Sequence, residues 1–182
     1  MPRSTKQKAR RNELDGIRRI ANRIKIREYL YKNSCVICGY DNIFALEFDH
    51  LNPAMKKESI SSLSRRAMNY KHIVKEIEKC QVLCTNCHRR KNNKEQTWHG
   101  ILNTENLTKD RKYKAKNIIK LLNYLADKVC VKCGESDSIV LEFDHLDPTI
   151  KIDSVSNLVC RSRGWSKIQR EIDKCQILCA NC

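Results

Sequence analysis

Cysteine is the residue best placed to do chemistry in this 182-residue chain. Eight of its eleven cysteines form CxxC pairs: Cys35 and Cys38, Cys84 and Cys87, Cys130 and Cys133, Cys179 and Cys182. A two-residue spacer lets both thiolates of a pair reach one tetrahedral ion at about 2.3 Å, and two such knuckles close a four-cysteine site. The spacing predicts one zinc held by Cys35, Cys38, Cys84 and Cys87, and a second held by Cys130, Cys133, Cys179 and Cys182. Four thiolates leave no open coordination position, so both zinc ions are expected to be structural. A redox CxxC would explain one pair, but not four at fixed intervals. Cys80 and Cys175 fall in an apolar pattern read as helical and are expected to be buried structural thiols. Nothing functional follows from Cys160.

A second group of residues has a different chemistry. Asp49-His50 and Asp144-His145 each pair a carboxylate with an imidazole, and His88 directly follows Cys87 and precedes Arg89, Arg90 and Lys91. A carboxylate and a neutral imidazole can hold a hard or borderline divalent cation. A second imidazole can deprotonate water, and arginines can hold a phosphodiester through charge-assisted hydrogen bonds. The competing structural reading of Asp49-His50 is a histidine satisfied by a carboxylate beside the zinc. His72 and His99 have no repeat counterpart and read as surface residues.

These residues recur because the chain repeats itself. The cysteine pairs and the Asp-His pair return 95 positions later without a gap, and roughly half the positions between the first and last cysteine of each copy are identical. A long period with two copies indicates a tandem duplication of a small domain, not a solenoid. The formal net charge is +15, and it is unevenly spread. Residues 1–33 carry eleven Lys/Arg against three Asp/Glu, and residues 89–129 carry eleven against four, so the cysteine modules themselves are near neutral. The expected organisation is a basic helical arm (1–32), a first module (33–95), a basic leading helix (96–128) and a second module (129–182). The flanks could grip phosphates, or simply present solvated helix faces.

Helical spacing supports both flanks. Ile17, Ile20, Ala21, Ile24 and Tyr31 form one stripe, expected to pack on its own domain, and Ile118, Leu121, Leu122 and Leu125 form another. Residues 70–79 and 165–174 read as amphipathic helices, with Tyr70 and Trp165 as aromatic anchors. Residues 44–48 and 139–143 read as short strands, Asp49-His50 is expected to end its strand, and Pro53 and Pro148 mark the loops after the Asp-His pairs. Trp98 is unassigned.

The order Cys-x-x-Cys-Gly, then Leu46 to Leu51, then Leu83 to Lys91 resembles the zinc-containing HNH endonucleases. The resemblance covers residues 33–92 and again 128–182. It implies an α+β fold of two small ββα-metal fingers, each braced by its four-cysteine zinc. It implies His50 as the general base, with Asp49 and His88 as ligands of a catalytic Mg2+ or Mn2+, and Arg89 and Arg90 as phosphate contacts beside Lys91. The family's middle Asn, a few residues before the second knuckle, is replaced by Lys79 and Lys174; Asn86, repeated as Asn181, is the substitute candidate. In the second copy Asp144 and His145 are the matching catalytic pair, but the residue equivalent to His88 would be 183. That copy is expected to be a DNA-binding helper, or part of a fragment whose continuation restores the site.

Composition removes other classes. No apolar run approaches the ~18 residues of a membrane span. The start of the chain is basic and polar, so no secretory signal is read, and an intracellular, cytoplasmic protein is expected. The Lys-, Asn- and Ile-rich composition suits an AT-rich or phage-like source. The expected partner is double-stranded DNA and the expected activity phosphodiester hydrolysis. The alternatives are a non-catalytic zinc-stabilised DNA-binding protein and, third, an RNA-binding or protein-interaction module.

Overall fold

Short polar residues set where the helices begin. Ser4 starts α1 (Thr5–Tyr31) with a capping box completed by Gln7. Ser59 accepts from the N–H of Ser62 and starts α2 (Ile60–Arg65), and Asn69 accepts from the N–H of Lys71 and starts α3 (Tyr70–Ile77). The computed structural model describes residues 4–93 and 108–182. Trp98 and His99 lie outside the described residues.

The chain is α+β and divides into two compact units, Met1–Cys87 and His88–Cys182. In the first, β1 (Leu46–His50) pairs antiparallel with β2 (Cys80–Cys84), in a register that sets Leu46 opposite Cys84, Asp49 opposite Gln81 and His50 opposite Cys80. Helices α2 and α3 fill the connection, and α4 (Thr85–Asn93) follows β2 without a break and crosses into the second unit. The second unit repeats the plan: α5 (Lys109–Leu125), β3 (Leu141–His145), α6 (Val155–Cys160), α7 (Trp165–Ile172) and β4 (Cys175–Cys179). Its strands pair in the same register, with Asp144 opposite Gln176 and His145 opposite Cys175.

Each core is small and made twice. Ile60, Leu63, Ile73 and Ile77 form one apolar cluster of the first unit, and Leu30, Cys35, Leu46, Val82, Leu83, Cys84 and Cys87 form another. A two-stranded sheet is marginal in water by itself. The cysteine cluster embedded in the second group is therefore part of the core and not an addition to it.

Three expectations need correction. The strands run 46–50 and 141–145, two residues later than the 44–48 and 139–143 read from the sequence pattern, although Asp49-His50 does end its strand as expected. Cys80 and Cys175 begin β2 and β4 and are half-buried, not sealed within helices. The α1 stripe is exposed: Ile17, Ile20 and Ile24 are 58, 61 and 52% exposed, Tyr31 is 79% exposed, and Ala21 is exposed too. The helix docks through the opposite face, where Asn22, Ile26 and Leu30 recur every four residues. Asn22 is buried and donates Nδ2–H to the Met68 carbonyl at 2.9 Å. Asn117 of α5 repeats that bond to the Arg163 carbonyl at 2.9 Å, but there Ile118 and Leu125 are buried as predicted. The aromatic anchors hold: Tyr70 packs on the α2–α3 cluster under the Lys25 ammonium, and Trp165 occupies the matching place under Lys120.

Candidate metal centres and the buried histidines

Each first knuckle is a tight loop closed by backbone hydrogen bonds. The Gly39 N–H donates to the Cys35 carbonyl at 2.8 Å, and the Cys35 N–H donates to the Tyr40 carbonyl at 2.8 Å. Gly39 and Gly134 both sit at φ +76°, where a side chain would be strained, so glycine is required after the second cysteine. The Val36 N–H donates to the Val82 carbonyl at 3.0 Å and ties the knuckle to β2, and Val131 repeats this to Ile177. The second knuckle is the junction of strand and helix: Cys84 ends β2 and Cys87 lies in the first turn of α4.

This folding brings the sulfurs of Cys35, Cys38, Cys84 and Cys87 within 4.8 Å of one another, and those of Cys130, Cys133, Cys179 and Cys182 likewise. Cys38 Sγ lies 3.7 Å from Cys84 Sγ, and Cys133 Sγ lies 3.6 Å from Cys179 Sγ. A tetrahedron with Zn–S of about 2.3 Å has an edge of about 3.8 Å, whereas a disulfide requires about 2.05 Å. All eleven cysteines are free thiols. Donor type, number and spacing thus fit one closed zinc site in each unit. Burial opposes ionisation of Cys35, but hydrogen bonds from the backbone of Cys84, Cys38 and Ile37 bring it down to about 6; Cys130 behaves the same way. Burial pushes the Cys87 and Cys182 thiols up, as does sharing protons with the neighbouring cysteines. An ion that displaces those protons also satisfies the crowded sulfurs.

Asp49 and His50 are both buried, at 7 and 6% exposure. As neighbours on a strand they project to opposite faces of the sheet. The Gln81 amide, directly across on β2, donates to Asp49 Oδ2 at 2.8 Å. On the other face, His50 Nε2 lies 2.9 Å from Glu76 Oε1 of α3. Glu76 is itself 4% exposed. Its Oε1 also accepts the Lys57 N–H at 2.9 Å, and its Oε2 accepts the Lys79 ammonium at 2.6 Å. Burial alone would raise the Glu76 carboxyl, but the bonds from Lys79, the Lys57 N–H and His50 outweigh it and hold the group at about 2. The second unit repeats the set. His145 Nε2 lies 2.8 Å from Glu171 Oε1, which accepts the Ile152 N–H at 2.9 Å while Oε2 accepts Lys174 at 2.8 Å. Gln176 donates to Asp144 Oδ2 at 2.9 Å, although Asp144 is exposed.

Glu76 and Glu171 were missed in the sequence reading. The signal was present: each is repeated at the common offset and falls on the apolar face of its helix, between Ile73 and Ile77 or between Ile168 and Ile172. A glutamate on such a face needs a buried partner. Lys79 and Lys174 are the cations that neutralise these glutamates.

The other candidates are placed as follows. Asn86 is buried in the first turn of α4, and Asn181 is half-buried. His88 and Lys91 are half-buried on α4. Within the second unit, the Arg90 guanidinium donates to Glu135 Oε2 and Asp137 Oδ2, each at 2.7 Å, and Arg89 pairs with Glu142. Those carboxylates occupy the donors that the arginines were expected to offer to phosphate. His72 is exposed, and Cys160 is exposed at the end of α6.

Among the described residues, the two four-cysteine groups are the clusters that gather three or more His, Cys, Asp or Glu donor atoms. Among the described residues, Asp49, His50 and His88 do not fall within such a group. Among the described residues, no helix is long and apolar enough to cross a membrane. Compared with protein-family models, with curated proteins and with solved structures, the chain gives no significant match to any.

Proposed function

We propose that the chain is a metal-dependent DNA endonuclease of the HNH type, with its catalytic residues in the first cysteine module, residues 33–95. One observation carries the reading. Asp49 and His50 close the first of two paired strands, and the second strand runs without a break into the helix bearing His88, with Cys84 and Cys87 at the junction. This strand–strand–helix order around a four-cysteine group is the arrangement the ββα-metal reading requires. In that reading His50 removes a proton from the attacking water, and Asp49 and His88 would hold Mg2+ or Mn2+. The bound cation would stabilise charge on the phosphate and on the departing 3′-oxygen. The zinc-bound cysteines hold strand and helix in place and take no part in the chemistry. Net charge of +15, concentrated outside the cysteine modules, supports a polyanionic partner held largely by counterion release.

A non-catalytic zinc-stabilised DNA-binding protein is the second reading. The observation favouring it is the burial of both His50 and Asp49, each already hydrogen-bonded within the fold.

The test is nicking of supercoiled plasmid by the zinc-loaded chain with Mg2+ or Mn2+, in parallel with His50→Ala. The expected result is metal-dependent nicking that falls by at least ~100-fold in His50→Ala. Tight DNA binding without nicking would replace the first reading by the second.

A further inference from the structure

The network behind His50 has a chemical consequence. Glu76 is a carboxylate, so it can only accept hydrogen bonds. Its Oε1 lies 2.9 Å from His50 Nε2, so in that contact Nε2 must carry the proton. Glu76 is not free to turn away. It is fixed by the Lys57 N–H on one oxygen and by Lys79 on the other, and Lys79 Nζ also donates to the Met55 carbonyl at 3.4 Å. The four groups form a closed relay from the loop backbone, through lysine and glutamate, to the imidazole.

We propose that Glu76, held by Lys79, is a positioning residue for His50: it fixes the imidazole as the Nε2–H tautomer and leaves Nδ1 as the nitrogen that takes a proton from water. The role rests on the nuclease reading, but the tautomer does not. In the reaction a water O–H proton passes to Nδ1, and the water oxygen forms a bond to phosphorus. The bond from phosphorus to the departing 3′-oxygen breaks, and that oxygen ends as a hydroxyl by taking a solvent proton. The imidazolium then carries N–H on both nitrogens, and its Nε2–H faces the Glu76 carboxylate, which stabilises the new positive charge. The same relay in the second unit, from the Ile150 carbonyl and Ile152 N–H through Lys174 and Glu171 to His145, prepares an identical tautomer there.

Two readouts on the zinc-loaded full chain test this. Long-range 1H–15N correlation of histidine-labelled protein, at a pH where the imidazoles are neutral, is expected to show His50 and His145 protonated on Nε2 and bare on Nδ1. His50→Ala and His145→Ala would assign the signals. An Nδ1–H tautomer would overturn the proposal even if the chain cuts DNA. The second readout is Glu76→Gln, which keeps the shape but removes the carboxylate. It is expected to lower nicking kcat by roughly 10- to 100-fold at unchanged DNA affinity and zinc content, as for other residues that orient a reacting group through a hydrogen bond. Unchanged kcat in folded, zinc-loaded Glu76→Gln would also overturn it. A wild-type chain that never nicks, yet shows the Nε2–H tautomer, would remove the nuclease reading and the catalytic role together while leaving the relay as architecture.

Discussion

Two sulfurs four residues apart on β2 have different fates. Cys84 is wholly buried and sits within the first four-cysteine group. Cys80 donates its S–H to the Glu76 carbonyl at 3.3 Å, and burial, with the charges of Glu76 and Asp49 behind it, pushes the thiol up to about 11. Cys80 is therefore held as a thiol, outside the four-cysteine group that Cys84 belongs to. Cys80→Ala is expected to retain two zinc ions per chain, whereas Cys84→Ser retains one and loses the folded first unit; metal analysis after gel filtration, with circular dichroism, reads both. The metal ligands were legible in the sequence because their chemistry imposes a short, fixed spacing. Glu76 was not, because its partner His50 is 26 positions away and only the fold brings them together.

The last turns of α2 and α6 are strained in the same way. Ala67 and Ser162 stand at φ 53° and 51°. The Ala67 N–H reaches the Ser64 carbonyl at 3.0 Å and the Met68 N–H reaches Leu63 at 3.1 Å, the pattern of a helix closed by a left-handed residue. That turn is also where the leading helix attaches, through Arg18 to the Ala67 carbonyl and Asn22 to the Met68 carbonyl. Glycine relieves the strain at some cost in chain entropy, so Ala67→Gly and Ser162→Gly are each expected to stabilise by about 0.5–1 kcal/mol. Urea denaturation of the zinc-loaded protein measures it, and a lower midpoint would refute the account. Neither six-residue helix was visible in the sequence, since so short an apolar run has no readable period. The exposed face of α1 was misread for another reason. Its isoleucines make the larger stripe, but a buried asparagine with a backbone partner fixes which face docks.

At the scale of the molecule, duplication explains most of what the sequence disclosed. The common offset carries over not only the ligands but also the strand register, the capped turns and the asparagine anchors. Each unit holds its own apolar clusters and its own four-cysteine group. Residues 88–182 are therefore expected to fold alone, bind one zinc and unfold cooperatively when a strong chelator is added. A fragment that stays unfolded with zinc present would contradict this. Charge could be counted from the sequence, but not its pairing: the carboxylates that hold Arg89 and Arg90 lie more than forty positions away from them.

The loop after each buried histidine is held almost entirely by main-chain atoms. Glutamate takes the N–H of Lys57 in one copy and of Ile152 in the other, and lysine takes the carbonyl of Met55 or of Ile150. A 3-10 turn opened by Asn52 or Asp147 completes the same shape. Apart from that Asn or Asp cap, none of these bonds depends on which side chains the loop carries, and the two copies already spell it differently. The segment from 54 to 57 thus behaves as a rewritable cassette on a fixed frame: its letters can be exchanged, by drift or by design, without moving the imidazole beside it.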